Sequence, residues 1–158
     1  INKIGQNSTV QCGGREAANY RGSVTFLEAE TKFNDWWTLD LNQVYYGNTT
    51  IRTSAVQYAV LDSSQAMIYL SLTDYKNFKT ALQNSGPIAQ ENISCGLNVG
   101  FNRYCYSNTL TCDAFYDELQ PLTFRLGNYE YKMMPEGYSL SNTSGRACKF
   151  MVSYVSDN

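Results

Sequence analysis

The residue best placed to do chemistry is a carboxylate in an apolar setting. In AVLDSSQAMIYL, residues 59–70, Asp62 follows Val60 and Leu61 and precedes Ala66, Met67 and Ile68. A run this apolar reads as a strand buried on both faces. An acid at its tip must be paired, hydrogen-bonded or shifted in pKa. Asp62 is therefore a candidate functional acid. The alternative is a turn cap, with the carboxylate accepting from the backbone N–H groups of Ser63 to Gln65.

Composition narrows the chemistry available. The chain has no histidine, which excludes Ser-His and Cys-His nucleophile pairs and leaves any metal site to carboxylates and thiols. Carboxylates become the first candidates for acid–base work. Five cysteines, Cys12, Cys95, Cys105, Cys112 and Cys148, occur without a CxxC, so disulfides are expected and zinc is not. A Cys95–Cys105 bridge would close a local loop and stabilise by about 2 to 3 kcal/mol on the loop-entropy model, and Cys148 is placed to reach back to Cys112. The sequence leaves three connectivities open among these four, and Cys12 is expected to have its partner in a segment or chain not given. Asn7, Asn48, Asn92 and Asn142 each begin an N-glycosylation sequon. With the cysteines they point to secretion or to the lumen of an endomembrane or lysosome-like compartment. Net charge is −2 with 16% charged residues and no run of Lys or Arg, which argues against nucleic acid as a partner. No apolar stretch approaches membrane-spanning length and no signal peptide opens the chain, so the start at Ile1 reads as a processed or partly observed polypeptide. Nothing in the composition asks for a cofactor.

The elements that must position Asp62 are mostly strands. In GSVTFLEAE, Val24 and Phe26 alternate with polar residues, which predicts a half-buried strand. In WWTLDLNQVYY, Trp37, Leu39 and Leu41 fall on one face, and Trp36, Thr38, Asp40 and Asn42 on a wet one. Gly47-Asn48 predicts a tight hairpin, after which TIRTSAVQYAVLD runs back to deliver Asp62. Leu72, Tyr75, Phe78 and Leu82 are spaced for one helical face, with Ser71 as N-cap and Asn84-Ser85-Gly86-Pro87 as the stop. Residues 88–112 read as a cysteine-bearing loop. In PLTFRLGNYEYKMM, alternation around Gly127-Asn128 predicts a second hairpin, and two short strands follow in the tail. Seven or eight strands and one helix make the chain mostly β.

In this order the stretches resemble the C-terminal lobe of a pepsin-like aspartic peptidase. CGGREAANYRGSVTFLEAE is similar to the family's Gly-Gly turn and following strand, and WWTLDLNQVYYGNTTI to its next strand and hairpin. AVLDSSQAMIYL resembles the second catalytic motif, an apolar pair followed by Asp-Thr-Gly or Asp-Ser-Gly. LQPLTFRLGNYEYKMMPEGYSL resembles the late hairpin, flanked by Cys112 and Cys148 as the family's lobe disulfide flanks it. The resemblance implies one lobe of the pepsin-like acid-protease β-barrel fold over residues 1–158, with an inserted cysteine loop at 93–107. It also implies a second lobe and closing strands not in this chain. Asp62 would be one of two carboxylates that share a proton and activate a water against a peptide bond, and Ser63 the hydroxyl residue tying the two lobes' loops together. Ser64 stands at the glycine position, Gln65 where a small hydroxyl residue bonds the carboxylate, and Tyr69 where a small residue is usual; Ser64 and Gln65 would face the substrate. These departures make Asp-Ser-Ser a degenerate form of the motif. The implied functions are half of an endopeptidase whose second acid comes from elsewhere, or a non-catalytic polypeptide-binding or extracellular structural subunit. Polypeptide substrate or neighbouring chains, with the absent N-terminal lobe, are the implied partners.

Overall fold

The structure, a computed structural model, describes residues 14, 17–19, 22–30, 36–52, 57–96, 103–141 and 147–155. Cys12, Asn7 and Asn142 lie outside them. The architecture is the mostly β lobe anticipated: among the described residues eleven strands fall into three sheets, with three helices.

The first sheet carries the site. Strand β1 (Thr38–Tyr46) turns through Gly47-Asn48 into β2 (Thr49–Thr50), and β3 (Gln57–Val60) pairs antiparallel with the start of β1, Thr38 opposite Val60 and Leu41 opposite Gln57. Gly47 sits at φ 55°, the left-handed region that favours glycine in a two-residue hairpin. On its other side β1 pairs with β7 (Leu122–Leu126), which turns at Gly127-Asn128 into β8 (Tyr129–Met133). Both expected hairpins are present.

The side chains that β1 buries differ from the simple alternation. The β1–β7 register slips between Leu41 and Gln43, a bulge that adds one residue on β1. Beyond it the even positions turn inward, so Val44 and Tyr46 are buried. Thr38, expected on the wet face, is also buried, its hydroxyl donating to the Trp36 carbonyl at 3.0 Å. The GSVTFLEAE stretch departs further: residues 22–30 form no strand, and Val24 and Phe26 are exposed. A period of two states which side a strand would bury, but burial needs a partner strand and a covering surface.

Strand β4 (Ile68–Leu70) pairs in parallel with β11 (Val152–Tyr154) and leads straight into α1 (Leu72–Gln83). The helix begins as its sequence indicates, Ser71 Oγ accepting from the Asp74 N–H at 3.1 Å. Its buried stripe of Tyr75, Phe78 and Leu82 packs into the core. Phe78 meets Tyr46 and Tyr138 edge-on, with ring centroids 5.6 and 6.3 Å away. Burial pushes the Tyr75 phenol up to about 12 and that of Tyr138 higher still, so both are neutral at any working pH.

The cysteine region is more ordered than a loop. It holds α2 (Pro87–Asn92), β5 (Ser94–Cys95), β6 (Cys105–Ser107) and a 3-10 turn at Cys112–Phe115. β5 and β6 join β10 (Cys148–Phe150) and β9 (Ser139–Ser141), the latter following the short α3 (Pro135–Tyr138), in a four-stranded sheet. Both disulfides form, Cys95–Cys105 between directly opposed residues of β5 and β6, and Cys112–Cys148 across 36 residues. The N-terminus of α2 is capped from a distance. Glu118 accepts from the N–H groups of Ile88 at 3.1 Å and Ala89 at 2.8 Å. A Cβ at position 86 would come within 2.3 Å of the Glu118 carboxyl carbon, so a larger residue there would push that carboxylate off the helix terminus. Among the described residues no helix is long and apolar enough to cross a membrane.

Candidate active site

Asp62 lies two residues past the end of β3, where the backbone leaves the first sheet. The Leu61 N–H donates to the Trp37 carbonyl at 2.9 Å, so the chain enters the turn as a continuation of the β1–β3 pairing. The turn closes with the Gln65 N–H on the Asp62 carbonyl at 3.3 Å and then delivers β4. The segment that feeds β3 is anchored on α1: Asn77 Nδ2 donates to the Ile51 carbonyl at 2.7 Å, and the buried Arg52 is attracted to the buried Asp74 of the same helix. Burial lowers the Arg52 pKa and the Asp74 charge partly offsets that. Sequence reading missed this pair; a basic residue next to an apolar hairpin strand gives no sign of its partner 22 positions on.

The carboxylate itself is held by its own turn. Asp62 Oδ1 accepts from the Ser64 N–H at 2.9 Å and from Ser64 Oγ at 2.6 Å. These bonds, the hydroxyl first and the backbone N–H second, with a smaller contribution from the Gln65 side chain, hold the Asp62 pKa below the usual carboxylate range against a small desolvation effect. The turn-cap geometry is thus present, in the form of Ser64 alone on Oδ1. Ser64 has no positive φ, since among the described residues only glycines do. The backbone therefore does not demand glycine at that position.

The expectation that Asp62 sits in a buried pocket of this chain is corrected. The carboxylate is partly exposed, Ser63, Ser64 and Gln65 are exposed, and the preceding Val60 and Leu61 are 50% and 57% exposed. Trp37, whose carbonyl bonds Leu61, is 76% exposed, and Tyr69 on β4 and Val155 just past β11 are also open. Among the described residues nothing covers those side chains, so the strand's apolar character finds no partner among them. Large apolar side chains left exposed in this number mark a surface suited to contact with another surface. The cavities at Tyr104, Tyr106, Asn108, Ser141 and Lys149 (about 330 Å³) and at Thr49, Thr50, Asn77 and Asn84 (about 390 Å³) both lie away from Asp62.

The sequon asparagines that are described differ in setting. Asn48 is exposed at the β1–β2 turn, whereas Asn92 is half-buried, its Nδ2 donating to the Ile88 carbonyl and its Oδ1 accepting from Thr109 Oγ1.

Comparison with known proteins gives the fold independently. The family model described as eukaryotic aspartyl protease matches residues 2–158. Among solved structures, the aspartic proteinase from Irpex lacteus superposes with a TM-score of 0.65 at 15% identity, over 92% of this chain and 40% of that one. This chain thus spans well under half the length of that proteinase. A search of curated proteins gave no match.

Proposed function

Because the chain belongs to the eukaryotic aspartyl protease family, we propose that it is the C-terminal lobe of a pepsin-like endopeptidase, with Asp62 as one carboxylate of its dyad. A second lobe supplies the other. The observation that supports this reading is that Asp62 follows the exposed Val60 and Leu61, with the exposed Trp37 bonded through its carbonyl to the Leu61 N–H.

In this arrangement the second lobe packs on those exposed side chains and brings its own acid against Asp62. Two carboxylates so close cannot both ionise, so the pair holds one proton. Ser64 keeps Asp62 on the ionised side, which makes it the base that draws a proton from the attacking water. The partner acid then protonates the carbonyl oxygen of the scissile peptide. As the resulting diol collapses, Asp62 passes its proton to the leaving nitrogen and the C–N bond breaks. The partner acid takes back a hydroxyl proton, restoring one proton on the pair. Ser63 ties the two turns together beneath the pair, and Ser64 and Gln65 meet the substrate. The disulfides and the sequons at Asn7, Asn48, Asn92 and Asn142 support a glycosylated protein that is secreted or held in an endomembrane or lysosome-like lumen.

The test is hydrolysis of a denatured protein by the intact polypeptide between pH 2 and 7. Activity with an acid optimum is expected, and Asp62→Asn should lower it on the order of a thousandfold while the fold is kept. Equal rates for the two forms would refute the assignment. The exposed amide of Gln65 beside the carboxylate favours one rival, a non-catalytic lobe that binds polypeptide or serves as an extracellular structural subunit. That rival predicts no turnover from either form together with retained peptide binding.

A further inference from the structure

We propose that Ser64 is a positioning residue for Asp62, its hydroxyl and its backbone N–H fixing the carboxylate by one oxygen so that protons and water are exchanged at the other. This rests on the reading of Asp62 as the reacting acid. Oδ1 has donors at 2.6 and 2.9 Å from a single residue, and together they set the carboxylate plane relative to the turn. A carboxylate oxygen with two donors already in place is a poor site for a proton, which leaves Oδ2 to take it. The residue is thus more than a tolerated bulk at its place in the motif. Its side chain supplies a hydroxyl donor that a glycine there would lack.

Among the described residues no other titratable group contributes to the lowering at Asp62. Of the elements beside it, residues 22–30, joined to β1 by the Glu30 N–H on the Thr38 carbonyl at 2.8 Å, carry Glu28 and Glu30, while β1 carries Asp40, β3 carries Tyr58 and β4 carries Tyr69. None of these contributes to the lowering, whose causes are Ser64 first and Gln65 last. Removing the Ser64 hydroxyl therefore acts on Asp62 directly.

The experiment uses the intact polypeptide with carbon-13 in its aspartate carboxyls, the Asp62 signal being assigned by its loss in Asp62→Asn. Titration of Ser64→Ala, which keeps the backbone donor, is expected to move the Asp62 midpoint upward, and Ser64→Thr to restore it. Ser64→Gly provides a second variant compatible with the turn. On peptide hydrolysis, the acid limb of kcat/KM should move upward with the alanine variant, with a loss on the order of tenfold on its acid side, the size of one charge-assisted hydrogen bond. An unchanged Asp62 midpoint in Ser64→Ala overturns the proposal whatever happens to activity. A shifted midpoint in a protein that hydrolyses nothing supports the role of Ser64 and overturns the peptidase reading instead.

Discussion

Two regions of the lobe use the same residue types to opposite ends. Around α1, Tyr46, Phe78 and Tyr138 are sealed in a cluster whose polar ends are all satisfied, the Tyr138 hydroxyl donating to the Gln120 carbonyl at 2.7 Å and the Tyr46 hydroxyl bonded to Ser85 at the same distance. In the Asp62 region, Trp37, Val60 and Leu61 are half or more in solvent and Tyr69 is 47% exposed. The first region explains why the lobe folds. The second has no such role among the described residues, and large apolar side chains left open are the mark of an interface. Strand β1 belongs to both regions: its far end, Val44 and Tyr46, enters the core, and its near end, at Thr38, pairs with the strand that delivers Asp62.

Substitutions can break or sharpen that contrast. The largest effect is expected from Phe78→Ala, which empties the middle of the aromatic cluster and should cost about 3 to 5 kcal/mol of unfolding free energy in denaturant titration. Next come the disulfides. Replacing both Cys112 and Cys148 with alanine, which opens a 36-residue loop, should cost about 4 kcal/mol, against about 3 kcal/mol for the 10-residue Cys95–Cys105 loop; a reversed order would show that strain rather than chain entropy governs the cysteine region. Smaller again is Glu118→Ala, which uncaps α2 and should cost about 1 kcal/mol, read as a lowered melting temperature. The smallest change is the most telling. Leu61→Ser touches little within this lobe, yet in the intact protein it should cost about 1 kcal/mol if a second lobe covers Leu61. No measurable change would place that side chain in open water.

How far the sequence disclosed this molecule follows the range of the interactions involved. Helix α1 was legible because its signals are local: the Ser71 cap, the spacing of Tyr75, Phe78 and Leu82, and the Gly-Pro stop. The two hairpins were legible for the same reason, with glycines at their turns. The buried face of β1 was not, since the bulge at Leu41–Gln43 arises from its pairing with β7 some eighty residues away. Helix α2 was hidden because its cap, Glu118, stands about thirty positions downstream. At the site, Asp62 stood out as a candidate from its apolar neighbours, but their exposure was not readable. An apolar strand announces that it will be covered without stating by what. Ser64 was read as added bulk at a glycine position, although a hydroxyl two residues after an aspartate is a recognised way to bond it within a turn.

The most direct measurement is an experimental structure of the intact polypeptide. The account predicts Trp37, Val60 and Leu61 covered by a second lobe, with another carboxylate within hydrogen-bond reach of Asp62 Oδ2. A structure in which those side chains remain open and Asp62 faces bulk water with no acid opposite would contradict it.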